Sequence, residues 1–173
     1  EQENGSYILT GSSSQTVKTP HTGTQRISTL KMYPMSLYES GESNGEVSLH
    51  QLFYSPDSFT GCHSDLSVDE LIFAICRGGW PQEVNNTSRK SQLEIAKDLF
   101  RQTCCTDISN IDHVQRNGVL AETILRSYSR NLCTMSTMKT IFGDVNVTTQ
   151  VGMTVFNEYI EALEKLFIIE NVD

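Results

Sequence analysis

No apolar run in this sequence approaches the ~20 residues that a membrane-spanning helix needs. The longest, Leu71 to Cys76, has the length of a core helix. The first residues, EQENGSYILTGSS, lack a basic stretch followed by an apolar one, so no signal peptide is visible. Cations are scarce: 13 Lys and Arg stand against 21 Asp and Glu, a formal net charge of −8. That sign excludes a chain that holds nucleic acid by bulk phosphate neutralisation and leaves only a local basic face for such a role. The 5 cysteines are odd in number, lack metal-site spacing and include no Cys-x-x-Cys pair. Reduced thiols of a cytoplasmic protein are the simplest expectation. No Gly-x-x-x-x-Gly-Lys-Ser/Thr occurs, so the chain carries no phosphate cradle. Internal repeats and low-complexity tracts are also missing. With 38% hydrophobic and 20% charged residues, the 173-residue chain has the make-up of a folded protein.

Helix signals dominate what is present. Leu37 to Gly41 reads as a turn or short helix closed by glycine, and Ser48 caps a short helix bearing Leu49, Leu52 and Phe53 on one face. Ser67 with Glu70 three residues on forms a capping box. It opens a helix whose buried stripe is expected at Leu71, Ile72, Ile75 and Cys76. Gly78-Gly79 ends that helix and Trp80-Pro81 fixes the turn. Asn86 to Arg89 signals the next start, with a helix over 92–105 and Leu93, Ala96, Leu99 and Phe100 on its apolar face. Ile108 to Val114 reads as an apolar link. Asn117-Gly118 opens a helix through Leu132, with its stripe at Leu120, Ile124, Leu125, Tyr128 and Leu132. Ser136 is the expected cap of a short helix over 137–142 closed by Gly143. Thr148 or Thr154 is the expected cap of the last helix, with Phe156, Tyr159, Ile160 and Leu163 on one face.

Three short strands are expected besides: Tyr7 to Leu9, Arg26 to Met32 stopped by Pro34, and Phe167 to Ile169. The first is too short to stand without neighbours. Three helices followed by a strand is the order of a winged-helix unit, whose second wing strand would follow Asp173. The expectation is a mainly α chain with a few short strands, lacking pieces before Glu1 and after Asp173.

Several segments in order, spanning nearly the whole chain, carry a family resemblance. They are Ile8-Leu9-Thr10-Gly11-Ser12, HTGTQRISTLKMYPMSLYESGE from His21 to Glu42, Arg77-Gly78-Gly79-Trp80-Pro81, Asp107-Ile108, Leu125-Arg126-Ser127-Tyr128 with Arg130-Asn131, and Tyr159-Ile160-Glu161-Ala162-Leu163 with Leu166 to Glu170. On these the chain resembles a prokaryotic family of AAA-type ATP-binding proteins, in which a P-loop ATPase core precedes a helical region, a winged helix and a nuclease-like C-terminal domain of unknown function. One departure is Gln25, where the pattern leads to a second glycine before the arginine. The resemblance implies a remnant of the α/β ATPase core at 1–54, a helical lid-like region at 55–115 and an incomplete winged-helix unit at 116–173. ATP and Mg would belong to the parent protein. The implied partners are its own ATPase and nuclease-like domains and further copies of itself.

Under that resemblance Thr10 and Ser12 fall where a polar residue senses the γ-phosphate, and a hydroxyl at a strand end can orient an attacking water. The plainer alternative is that they end a strand. Arg26, after a Gly-containing loop, matches an arginine finger that stabilises transferring phosphoryl charge, against a surface ion pair. Arg77 is either a second nucleotide-facing arginine or a cation complementing the negative end of its helix, and the dipole favours the latter. Cys62, His63 and Asp65 lack a fourth metal ligand, and His50 and His113 show no partner at useful spacing. Glu158, Glu161 and Glu164 outnumber Lys165 on the last helix and would repel phosphate, whereas Arg116, Arg126 and Arg130 offer a weak basic face. The expected function is a non-catalytic fragment coupling nucleotide state to a partner. The alternative is a stand-alone winged-helix DNA-binding protein.

Overall fold

The computed structural model describes Ile8, Thr10, Gly11 and residues 30–170. Among these residues the chain is mainly helical and contains no strand. No helix among them is long and apolar enough to cross a membrane. The expected strand at Tyr7 to Leu9 lies outside the described residues except for Ile8, which is exposed and in no regular element. That at Arg26 to Met32 lies outside them up to Leu30, and Leu30 to Met32 form no strand. The described residues form two compact units, 30–99 and 100–170. The division falls inside one continuous helix.

In the first unit, Ser48 caps α1 (Leu49–Tyr54), its Oγ accepting the Gln51 N–H at 3.1 Å. A single 3-10 turn, Pro56–Ser58, follows. α2 (Val68–Arg77) starts on a complete capping box. The Glu70 N–H donates to Ser67 Oγ at 3.3 Å, and the Ser67 N–H donates to Glu70 Oε2 at 2.9 Å. The helix stops at Gly78 (φ 79°, ψ 177°), a backbone region essentially reserved for glycine. α3 (Pro81–Val84) opens on proline, where the missing N–H has no intrahelical partner to lose. Ser88 then starts α4 (Arg89–Gln102), its Oγ accepting the Ser91 N–H at 3.3 Å.

The expected buried stripe of α2 is a correction. Leu71, Ile72, Ile75 and Cys76 are exposed, and the helix buries Ala74 and Arg77 instead. Periodicity tells which residues share a face but not which way the face turns. Arg77 sits about 200° around the helix from Ile75. Because Arg77 is held inward, the apolar stripe points outward.

The second unit begins as α4 widens into a π turn, Thr103–Asp107, and continues as α5 (Ile108–Asn110). The helix expected to end at Cys105 therefore ends its regular α part at Gln102. The expected link at Ile108 starts with a helical turn whose Ile108 is fully buried. Gly118 opens α6 (Gly118–Arg130) beside this turn. A Cβ there would lie 3.1 Å from the Cys104 carbonyl oxygen and 3.3 Å from Cys105 Sγ, which explains the glycine. Asn117 caps α6, accepting the Val119 N–H at 2.9 Å.

Thr137, and not Ser136, caps α7 (Met138–Thr148), because the Ser136 hydroxyl donates to Asn131 Oδ1 at 2.7 Å. The helix also runs on through Gly143. An interior glycine costs about 1 kcal/mol, which burial of Ile141 and Val145 on either side outweighs. α8 (Met153–Lys165) follows Gly152 with no side-chain cap, so neither Thr148 nor Thr154 serves. Its face of Phe156, Tyr159, Ile160 and Leu163 is buried as expected.

Phe167 to Ile169 form no strand. Phe167 has φ 57°, the Ile168 N–H donates to the Leu163 carbonyl at 3.0 Å, and the Phe167 N–H donates to that of Glu164 at 2.9 Å. This is a Schellman closure of α8, with phenylalanine in the left-handed position that glycine usually takes. α6 packs on α7 and on the π turn, and α5 packs on α8. Ile108, Ile124, Val145, Phe156 and Leu163 form the centre of the resulting core.

Candidate functional site

The most organised polar site in the first unit is built on Arg77. Its Nη1 donates to Glu42 Oε1 at 2.9 Å, its Nη2 to Glu42 Oε2 at 2.7 Å, and its Nε to the Gly78 carbonyl at 3.0 Å. Arg77 is buried and Glu42 is about a quarter exposed (25%). The guanidinium beside it holds the Glu42 carboxyl below the ordinary value of 4.5. The Leu37–Gly41 turn aims Glu42: the Glu42 N–H donates to the Leu37 carbonyl at 2.8 Å, and the Ser40 hydroxyl donates to Glu42 Oε2 at 2.6 Å. A reciprocal Ser36–Glu39 box starts the turn, which Gly41 closes at φ 74°.

A second link lies next to the first. The Met35 N–H donates to the Gly79 carbonyl at 2.7 Å. A Cβ on Gly79 would fall 2.2 Å from the Met35 carbonyl oxygen, so the backbones could not approach with any other residue. The tandem glycines thus do two different jobs, one in conformation and one in contact.

Arg77, Glu42, Phe73, Arg89 and Gln92 line an open depression of about 300 Å³. The Arg89 guanidinium lies over the Phe73 ring, 4.6 Å from its centroid. Gln92 is buried and its amide bridges α3 to the following loop, donating to the Glu83 carbonyl at 2.5 Å and the Asn86 carbonyl at 2.7 Å. Glu83 is also buried, and its Oε2 has no hydrogen-bond partner. A buried polar oxygen left without a hydrogen bond is costly. Replacing Glu83 by the similarly sized, helix-compatible methionine is expected to raise stability by about 1–2 kcal/mol. The urea midpoint of Glu83→Met against the parent chain measures this.

The other sequence-predicted residues do not gather. Thr10 is exposed and in no regular element, and Ser12 and Arg26 lie outside the described residues. His63 and Asp65 approach to 3.5 Å on the surface. No group of three or more His, Cys, Asp or Glu among the described residues could hold a metal. The His50 ring stacks on Tyr54, with centroids 4.5 Å apart.

The three arginines of the expected basic face are each occupied. Arg116 holds Asp112 in a fork at 2.6 and 2.7 Å and donates to the Ile108 carbonyl at 2.7 Å. Arg126 pairs with Glu122 at 2.7 Å, and Arg130 pairs with Asp144 at 2.5 Å. Asp144 also accepts from the buried Ser127 hydroxyl at 2.6 Å. The Tyr159 hydroxyl accepts the Asn117 N–H at 2.6 Å. These networks fix helices and leave little cationic charge for phosphate. Burial pushes the Cys104 thiol up to about 11, so it is inert as a nucleophile.

The sequence does not mark Glu42 as the partner of Arg77, nor the burial of Glu83 and Gln92. No sequence signal marks a pair 35 residues apart. A glutamine near the start of a helix with a glutamate nine residues before it is equally ordinary.

The fold and this site define a mainly helical protein with a buried arginine–glutamate clamp. Residues 68–173 match the family described as Domain of unknown function (DUF8612), and the chain belongs to that family. No curated protein and no solved structure matches it.

Proposed function

We propose that the chain is a non-catalytic segment of an AAA-type ATP-binding protein, coupling the state of the nucleotide to a partner. The observation that carries the reading is the meeting of two segments on which the resemblance rests. His21 to Glu42 and Arg77 to Pro81 are joined by the Arg77–Glu42 fork and by the Met35–Gly79 hydrogen bond. In this reading the fork ties the lid-like region to the end of the ATPase core. The helix order α6, α7, α8 supports a winged-helix derivation of the last segment, although the strand expected after it is a helix closure. The parent's ATPase and nuclease-like domains, and further copies of it, are the natural partners, and the cytoplasm is the compartment.

The described residues do not fit ATP and Mg as they stand. The Arg77 fork is filled by Glu42, and the sequence contains no phosphate cradle. The purified chain is therefore expected to show no ATP turnover. Turnover that disappears in Arg26→Ala would overturn the non-catalytic assignment. Reading the coding sequence in frame upstream of Glu1 tests the parentage: a P-loop motif supports it, and a start codon with no such motif overturns it.

A further inference from the structure

Asn-Gly occurs three times in the sequence, at Asn4, Asn44 and Asn117, and the first lies outside the described residues. The dipeptide carries a chemistry of its own. A glycine nitrogen has no neighbouring Cβ to shield it, so it can attack the side-chain carbonyl carbon of the asparagine before it. The two described copies sit in different settings.

Asn44 is exposed, in a stretch without regular structure. Its Oδ1 accepts the Glu46 N–H at 3.1 Å, and its Nδ2 donates to the His63 carbonyl at 3.0 Å. The His63 N–H donates to Glu46 Oε2 at 3.3 Å. The Asn44 amide is thus one of two ties between this turn and the loop at His63. The Gly45 N–H, at the attacking atom, donates to the Ser43 hydroxyl at 3.3 Å.

Asn117 is also exposed, and its Oδ1 accepts the Val119 N–H in the same way. Its backbone separates the two sites. At ψ 114° the Gly118 nitrogen is turned well away from the Asn117 Cβ, which a five-membered ring must nearly eclipse. Gly118 starts α6 against the Cys104 carbonyl, and the Tyr159 hydroxyl accepts the Asn117 N–H at 2.6 Å and donates to the Asn117 carbonyl at 3.4 Å. The rotation that closes the ring therefore requires the first turn of α6 to open. At Asn44 the same rotation moves an exposed turn.

We propose that Asn44 is a site of spontaneous covalent modification, passing through a cyclic imide to aspartate and isoaspartate, and that its helix cap spares Asn117. The Gly45 nitrogen forms a bond to Asn44 Cγ and gives up its proton, and ammonia leaves with that proton. Water then adds to either imide carbonyl and cleaves its bond to nitrogen. Attack at the side-chain carbonyl leaves aspartate. Attack at the main-chain carbonyl leaves isoaspartate, with one more carbon in the backbone. Both products lose the donor to the His63 carbonyl and gain a negative charge, so that tie between the two loops is cut.

The test is peptide mapping by mass spectrometry of the whole chain after incubation at mildly alkaline pH. Modification at position 44 is expected to be about tenfold or more faster than at 117, because opening a helix start is an unfavourable prior step. In concentrated urea the two rates are expected to converge. Asn44→Gln, whose ring needs a further atom, is expected to stay unmodified at that position. Asn44→Asp reproduces one product and is expected to raise hydrogen exchange at the His63 amide several-fold, with unchanged far-UV circular dichroism. Equal rates at the two positions in the folded chain, or a slower rate at 44, overturn the proposal. Rates that stay apart in urea overturn protection by the cap, and unchanged His63 exchange in Asn44→Asp overturns the amide's role as a tie.

Discussion

Phe156→Ala is expected to remove about 3–5 kcal/mol of stability from the unit formed by residues 100–170. Phe156 is fully buried, and its ring meets that of Phe142 edge-on, with centroids 5.3 Å apart at 73°. Truncation removes the transfer free energy of the ring, leaves a cavity and cancels an edge-to-face pair that adds about 0.5–1.5 kcal/mol. A unit of this size has a total stability of roughly 5–10 kcal/mol, so the loss takes from about a third of it to nearly all of it. Urea unfolding followed by far-UV circular dichroism reads the loss as a shifted midpoint. Phe156→Leu keeps most of the volume and is expected to cost clearly less, about 1.5 kcal/mol. Equal losses in the two variants would contradict the packing described.

Arg77→Ala is expected to cost about 2–3 kcal/mol in the unit formed by residues 30–99. Breaking a fully buried pair costs about 3–5 kcal/mol, and the quarter exposure of Glu42 lets water recover part of that. Arg77→Lys keeps the charge but cannot make the two-pronged contact, so it is expected to rescue less than half. Trp80, the single tryptophan, lies three residues beyond Arg77, and its emission reports this unit's unfolding.

The pair also has a pH signature. The folded-state value of Glu42 is depressed, chiefly by its hydrogen bonds to Arg77. Its stabilisation is therefore complete above the ordinary value of 4.5 and is lost as pH falls through the lowered one. The parent chain should lose Trp80-reported stability as pH drops below 4.5, and Arg77→Ala should lose less of it. Asp112, held below its ordinary value of 3.8 by Arg116, adds a similar acid-side loss in the other unit.

How much of this was legible beforehand differs by element. The Ser67–Glu70 box, the Ser48 and Asn117 caps and the α8 face depend on neighbours within one or two helical turns. Local chemistry of that range is written in the order of residues. Three readings failed for one shared reason, that a local signal met a competing partner. Ser136 is drawn off by Asn131, Gly143 is carried inside a helix by the burial of Ile141 and Val145, and Phe167 to Ile169 close α8 instead of extending as a strand. For the site, Arg77 and the two glycines were visible as a group, but the use of each was not. Whether Gly79 is required depends on where the Met35 backbone passes, and that passage is set 44 residues earlier in the chain.

By itself, then, the amino-acid order determined a mainly helical chain of acidic charge with no phosphate cradle, together with most of its helix starts. These follow from composition and from contacts of three or four residues' range. Only the tertiary structure decided which way α2 turns, that Arg77 points to Glu42, and that Glu83 is buried with its Oε2 lacking a hydrogen-bond partner. Those outcomes rest on long-range burial and charge pairing, whose free energies exceed the small local preferences that periodicity reflects.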